Sequence, residues 1–216
     1  MKLNLYTFPI CPFGQSSLIL LKYLNLDYQV NYINLENKPE WFDDASPLWK
    51  VPLLEADGNF LFESIVINEF LNDFSNSDLL PSDSVDRAFH LSYLVFANEL
   101  ILKMSSIFFA KSQGAYDLSK NEFFDKISHF ESLIDDSWYF SKKFSLVDIA
   151  FLVLFHRLSL FTDLNNEFEK RSFKKIIAWK HNLLNMNLIE DSLQSNFKEM
   201  FFWFLDSKDS FIMKNK

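Results

Sequence analysis

The chain has 216 residues, 21 basic and 29 acidic, for a formal charge of −8, and 26 of its residues are phenylalanine. With nearly half its residues hydrophobic it reads as folded rather than disordered, and its negative field repels phosphate backbones, against general nucleic-acid binding. Three glycines, at 14, 58 and 114, lie too far apart for a G-x-G-x-x-G or Walker-type phosphate loop, and one cysteine cannot form an intrachain disulfide, which fits a reducing compartment.

Leu3, Leu5 and Thr7 alternate with their neighbours as a short strand does. "FPICPFGQSS" (8–17) follows, and apolar residues at 18, 19, 21 and 24 predict a helix over about 13–25. "YQVNYINL" (28–35) alternates again, and "KPEWFDDAS" (38–46), with proline just inside its start, predicts a short helix. In "VPLLEADGNFLFES" (51–64) two apolar runs flank Asp57-Gly58, a hairpin signal. Ser64 is expected to cap a helix running through Ile65, Ile67, Phe70 and Leu71. The order β-α-β-α-β-β-α is a thioredoxin-like α/β layout over residues 1–75.

"SNSDLLPSDS" (75–84), polar and carrying a proline, is the expected linker, assigned to 76–84. Residues 85–216 show no strand signal and read as an all-helical bundle. Helices are expected at about 85–111, 119–137, 146–161, 172–186 and 190–204. In "FSLVDIAFLVLFHRL" (144–158) Ser145 and Asp148 form a capping-box signal ahead of a run that is apolar on every face, as in a helix buried mid-bundle. Lys170, Arg171, Lys174 and Lys175 read as a solvated face. The longest uninterrupted apolar run, Ile149 to Phe155, is far short of the roughly 20 residues that span a bilayer. The start "MKLNLYTFPICPF" is too interrupted by proline for a signal peptide. The expectation is a cytoplasmic protein without a membrane partner.

Cys11 carries the main chemical question. At the head of a helix a thiolate should have a lowered pKa, yet free cysteines are also common as inert core residues. Position 14, where a C-x-x-C motif would put its second sulfur, is glycine, so a reactive Cys11 would work as a monothiol. Glu63 and Ser64, at a strand-to-helix turn, could hold a carboxylate or simply cap the helix. Val51-Pro52 could be cis. His90, His129, His156 and His181 lack metal-ligand spacing, so no metal site is expected, and no G-x-S-x-G elbow supports a hydrolase.

"CPF" (11–13), "NLENKPEWF" (34–42), "VPLLE" (51–55), "ES" (63–64) and "SLVD" (145–148) together resemble the cytosolic glutathione transferases, and within them the omega class. The resemblance implies the glutathione transferase fold, glutathione as co-substrate and a homodimer. It implies that Cys11 forms a mixed disulfide with glutathione. Lys38 would pair with the glycyl carboxylate, and Val51 would offer backbone hydrogen bonds beside a cis Pro52. Glu63 and Ser64 would bind the γ-glutamyl end. The activity implied is glutathione-dependent thiol transfer and reduction, of the deglutathionylation and dehydroascorbate type, on a small-molecule or glutathionylated protein substrate. The rivals are a non-catalytic adapter resembling the stringent starvation protein and, behind it, a soluble form of the intracellular chloride channel family. Two departures stand out. Gly14 replaces a larger residue, implying a looser first helical turn, and "SPLWK" (46–50) alters the loop before Val51.

Overall fold

The computed structural model describes residues 1–135 and 138–214. Strand β1 (Leu3–Thr7) leads into helix α1 (Pro12–Tyr23), then β2 (Tyr28–Tyr32), the one-turn α2 (Phe42–Ala45), β3 (Leu53–Ala56), β4 (Asn59–Phe62) and α3 (Ser64–Phe74). The sheet order is β2-β1-β3-β4. β1 pairs parallel with β2, Leu5 opposite Val30, and antiparallel with β3, Leu5 opposite Leu54. The β3–β4 hairpin turns at Asp57-Gly58, where Gly58 takes a φ of 83° that side chains resist. β1 is buried along nearly its whole length, and Leu18, Leu21, Ile67 and Leu71 of α1 and α3 pack with it in the main core. Ile33, Phe42, Ala45 and Leu53 form a separate small cluster.

Three of the polar side chains on α1 that face inward find partners. Ser17 donates to Asn68 Oδ1 on α3 at 2.7 Å, and Asn68 Nδ2 donates to Ser16 at 3.3 Å. Gln15 Nε2 donates to Ser192 at 3.1 Å. Satisfied in this way, buried polar groups avoid a desolvation cost of about 1–3 kcal/mol each.

The helical part comprises α4 (Ser84–Phe108), α5 (Gln113–Leu133), α6 (Leu146–Ser159), α7 (Thr162–Lys170), α8 (Lys174–Leu184), α9 (Leu188–Ser192), α10 (Phe197–Ser207) and α11 (Phe211–Lys214). Asp83 caps α4 by accepting from the Val85 and Asp86 amides. The stretch before it is well anchored: Leu79 and Leu80 are buried, Leu80 N donates to Asn72 Oδ1, and Leu146 N donates to Leu79 O.

α6 is buried almost throughout. Its start is organised by Asp148. Oδ2 accepts from Ser145 N at 2.9 Å and Ser145 Oγ at 2.6 Å, and Oδ1 accepts from Phe140 N at 2.8 Å and Trp179 Nε1 at 2.7 Å. The Ser145–Asp148 signal therefore marks a real helix start, and the carboxylate also ties α8 to it.

Several expectations need correction. The helix expected over 38–46 forms only at Phe42–Ala45. The one expected over 190–204 divides into α9 and α10, because Ser192 docks on Gln15 of α1 and the chain turns at 193–196. α7 was not foreseen: only Leu164, Glu167 and Phe168 of its nine residues are buried. Within the basic cluster Arg171 and Lys170 are paired, with Asp125 and Glu167 and with Asp163 and Glu167. The expectation that nothing is long and apolar enough for a membrane also fails. By length and composition α4 could cross one, with 39% of its apolar window buried in the fold. Scattered polar residues hide this when only unbroken apolar runs are counted.

Candidate active site

α1 begins at Pro12, whose ring suits the first helical position. Cys11 is its N-cap and remains partly exposed. Its sulfur accepts from Gly14 N at 3.4 Å and its S–H donates to Val51 O across 3.8 Å. The expectation of a lowered thiol pKa is not met. Burial pushes the Cys11 thiol up, while the Gly14 and Phe13 amides, the Arg157 charge and the Thr7 hydroxyl pull it back only in part. Nor is the first turn of α1 loose at Gly14: the Thr7 side chain fills the space that a side chain there would need.

Two clefts share Phe13 and Val51 as lining residues, and Cys11 lines the second. The first, about 300 Å³, is bordered by Lys50, Val51, Pro52, Glu63 and Ser64, with Asn98 and Glu99 of α4 opposite. The Val51-Pro52 peptide is cis. Glu63, not Ser64, is the N-cap of α3, held at a φ of 66°; Ser64 is the first helical residue. Ser64 is 4% exposed, and its hydroxyl accepts from Asn98 Nδ2 at 3.4 Å. A helix N-terminus of this kind, with amides directed outward, favours a carboxylate.

The second cleft, about 240 Å³, contains Cys11 and is walled by aromatic and apolar side chains, among them Phe8, Met104, Phe108, Phe201 and Phe204. Its one charged lining residue is Arg157 of α6, 2% exposed. Arg157 donates to Gln15 Oε1, and through Nη2 to Ile10 O at 3.1 Å. Burial lowers its pKa to about 9.

The structure thus brings Cys11, Val51, Pro52, Glu63 and Ser64 around one pair of clefts. Lys38 stands apart, in a neighbouring hollow with Leu35, Glu36 and Trp49, where its ammonium donates to Trp49 O at 3.4 Å and lies 5.3 Å from the Phe42 ring centroid. Arg157 and Asn98 were missed from sequence. A lone cation in the apolar run 146–158 was the available signal for the first, since arginine is rarely buried without purpose; the facing of Asn98 has no local signature. Among the described residues no three His, Cys, Asp or Glu side chains gather to hold a metal.

A thioredoxin-like sheet, a thiol heading its first helix, a cis proline beside that thiol and an all-helical second part define a thiol-bearing protein of the glutathione transferase type. Comparison with known proteins agrees. A family model described as "Glutathione S-transferase, N-terminal domain" matches residues 10–73. Glutathione S-transferase L1 of Arabidopsis thaliana is 31% identical over 164 residues, 74% of this chain and 68% of the relative. Glutathione S-transferase omega-1 of Rattus norvegicus is 26% identical over 162 residues, 73% of this chain and 67% of that one. The fold matches glutathione transferase Omega 3C from Trametes versicolor with a TM-score of 0.78 over 90% of each chain, at 22% identity. It also matches rice GST1 in complex with glutathione, with a TM-score of 0.79 over 96% of each chain, at 20% identity. The chain belongs to the glutathione transferase family.

Proposed function

We propose that this family member is an omega-like thiol transferase that uses glutathione as co-substrate and Cys11 as its single nucleophile. The observation that carries the reading is the position of Cys11 in an aromatic cleft that shares Phe13 and Val51 with the cleft at the N-terminus of α3. In the first step the Cys11 thiolate attacks the glutathione sulfur of a glutathionylated substrate. A Cys11–glutathione disulfide forms, and the substrate leaves as a thiolate that takes up a proton. In the second, a glutathione thiolate attacks the glutathione sulfur of that disulfide, releasing glutathione disulfide and restoring the Cys11 thiolate. Each turnover consumes one reduced glutathione, and the glutathione disulfide released joins it to the glutathionyl group taken from the substrate. With no second cysteine in the chain, the external thiol is obligatory.

The first cleft suits glutathione. The N-terminus of α3 with Ser64 would receive the γ-glutamyl carboxylate, the exposed Glu63 carboxylate the γ-glutamyl ammonium, and the backbone of Val51 the cysteinyl unit. The aromatic cleft suits an apolar acceptor. A Cys11→Ser enzyme should lose thiol transfer from a glutathionylated model disulfide entirely, because an alkoxide is not accessible at neutral pH; turnover at the wild-type rate would refute the reading.

We also propose a homodimer. Phe62, Val66, Phe74, Phe89 and Leu102 are exposed on β4, α3 and α4, apolar side chains that a second copy would cover. Light scattering should give twice the 25.6 kDa of the chain; a monomer at micromolar concentration would contradict it.

A further inference from the structure

Among the described residues Arg157 is a buried cation without an acid. Its recorded donations go to neutral oxygens, of Gln15, Ile10 and Val153, the last at 3.4 Å, and its guanidinium carbon lies 5.3 Å from the Phe197 ring centroid. No carboxylate forms an ion pair with it among the described residues. Leaving a guanidinium buried without a counter-charge costs several kcal/mol, so a fold that retains one is complete only with an anion beside it.

The charged groups around α6 narrow the choice of anion. On α6 itself, Asp148 is saturated by Ser145, Phe140 and Trp179 at the far end of the helix, and His156 is the neighbouring titratable group. On α7, Asp163 and Glu167 pair with Lys120, Lys170 and Arg171. Glu99 on α4, Glu190 and Asp191 on α9, and Lys198 and Glu199 on α10 are exposed. Lys180 on α8 donates to Asn165. What remains in the cleft with Arg157 is the Cys11 thiol. Arg157 also holds the backbone on either side of that thiol, through Ile10 O directly and through Gln15, whose own amide donates to Cys11 O at 3.0 Å.

We infer that Arg157 is the built-in counter-cation of the Cys11 thiolate, a positioning residue supplied by the helical part of the chain to the thiol of the α/β part. It favours the ionised sulfur before attack, and again when that sulfur is expelled from the mixed disulfide. The catalytic consequence rests on the thiol-transfer reading, but the ionisation itself does not.

Because Cys11 is the sole cysteine, alkylation by iodoacetamide reports on it alone and needs no glutathione. The rate would be followed from pH 5 to 10 in the wild type, Arg157→Gln, Arg157→Met and Arg157→Lys, with near-ultraviolet circular dichroism to verify folding. Removing an opposite charge at short range shifts a thiol by about 1–2 pH units. Both neutral variants should therefore show an upward shift of that size, with alkylation at pH 7 slower by about tenfold per unit. Arg157→Lys, which keeps the charge, should stay within about half a unit of the wild type. A folded neutral variant with the wild-type profile would overturn the inference, and so would a lysine variant shifted as far as the neutral ones. Should both neutral variants fail to fold, the lysine variant decides: a shift of a full unit with the charge retained overturns the inference, and a near-wild-type profile supports it. Loss of the Cys11→Ser effect on turnover would count against the thiol-transfer reading while leaving this result standing.

Discussion

A Cβ added to Gly14 would lie 1.8 Å from Thr7 Oγ1 and 2.8 Å from Thr7 Cβ, so β1 and the first turn of α1 approach each other as closely as they do only because position 14 has no side chain. This contact also bears on mechanism. Position 14 is where a C-x-x-C motif would carry its resolving sulfur, and the packing that seats Cys11 leaves no volume for one. A side chain at position 14 would have to displace that of Thr7.

Gly14→Ala should therefore destabilise the protein. The gain of about 1 kcal/mol in helix propensity is outweighed by an overpacking penalty of about 1–3 kcal/mol. Urea unfolding would show a net loss of about 1 kcal/mol or more, and adding Thr7→Ala should recover part of it, because the 1.8 Å contact disappears while the 2.8 Å one stays. Strict additivity of the two substitutions would contradict the contact.

A buried carboxyl and a half-buried imidazole on α6 make opposite contributions to acid stability. His156 is held by burial at a pKa of about 4 against an ordinary 6.5, and its Nδ1 has no partner. Its folded value is depressed, so its contribution is present above pH 6.5 and is lost as pH falls toward 4. Asp148 is raised by burial to about 6 from 3.8, against the pull of its donors. Its contribution is present below pH 3.8 and is lost as pH rises through 6. Each spans a little over two pH units, or up to about 3 kcal/mol, and in the wild type they largely cancel. His156→Gln should gain stability relative to the wild type as pH falls from 7 to 4.5, and Asp148→Asn should lose it. Parallel stability–pH curves for all three proteins would show that neither group titrates as described.

The family resemblance gives the glycyl carboxylate to Lys38, yet Lys50 is the lysine that borders the cleft of Val51, Glu63 and Ser64, whereas Lys38 lies in the hollow beside Trp49. An exposed ion pair is worth up to about 1 kcal/mol, or about fivefold in affinity. Lys50→Ala should raise the KM for glutathione by about that factor with kcat unchanged, and Lys38→Ala should raise it less. A larger effect at Lys38 would mean that its side chain swings into the first cleft when glutathione binds.

What could be read from sequence follows from how local each signal is. The Asp57-Gly58 turn, proline at the head of α1, and the Ser145–Asp148 pair are decided within a few residues, and the structure carries all three. The split of α9 from α10 depends on Ser192 meeting Gln15, 177 residues away along the chain, and no local pattern announces it. Ser64 reads as a cap because serine suits that position, yet the chain enters α3 one residue earlier, with Glu63 in the left-handed region. Cys11 caps α1 as its position suggests, but helix-end electrostatics alone misjudged its ionisation. Burial opposes it, and the compensating charge of Arg157 comes from 146 positions downstream.

The most direct test of the central claim is the intact mass of the protein after incubation with glutathione disulfide, beside a Cys11→Ala control. The account predicts one glutathione adduct on the wild type, none on the control, and its removal by excess reduced glutathione. A folded wild type that remains unmodified would show Cys11 to be an inert core residue and would contradict the assignment of thiol-transfer chemistry.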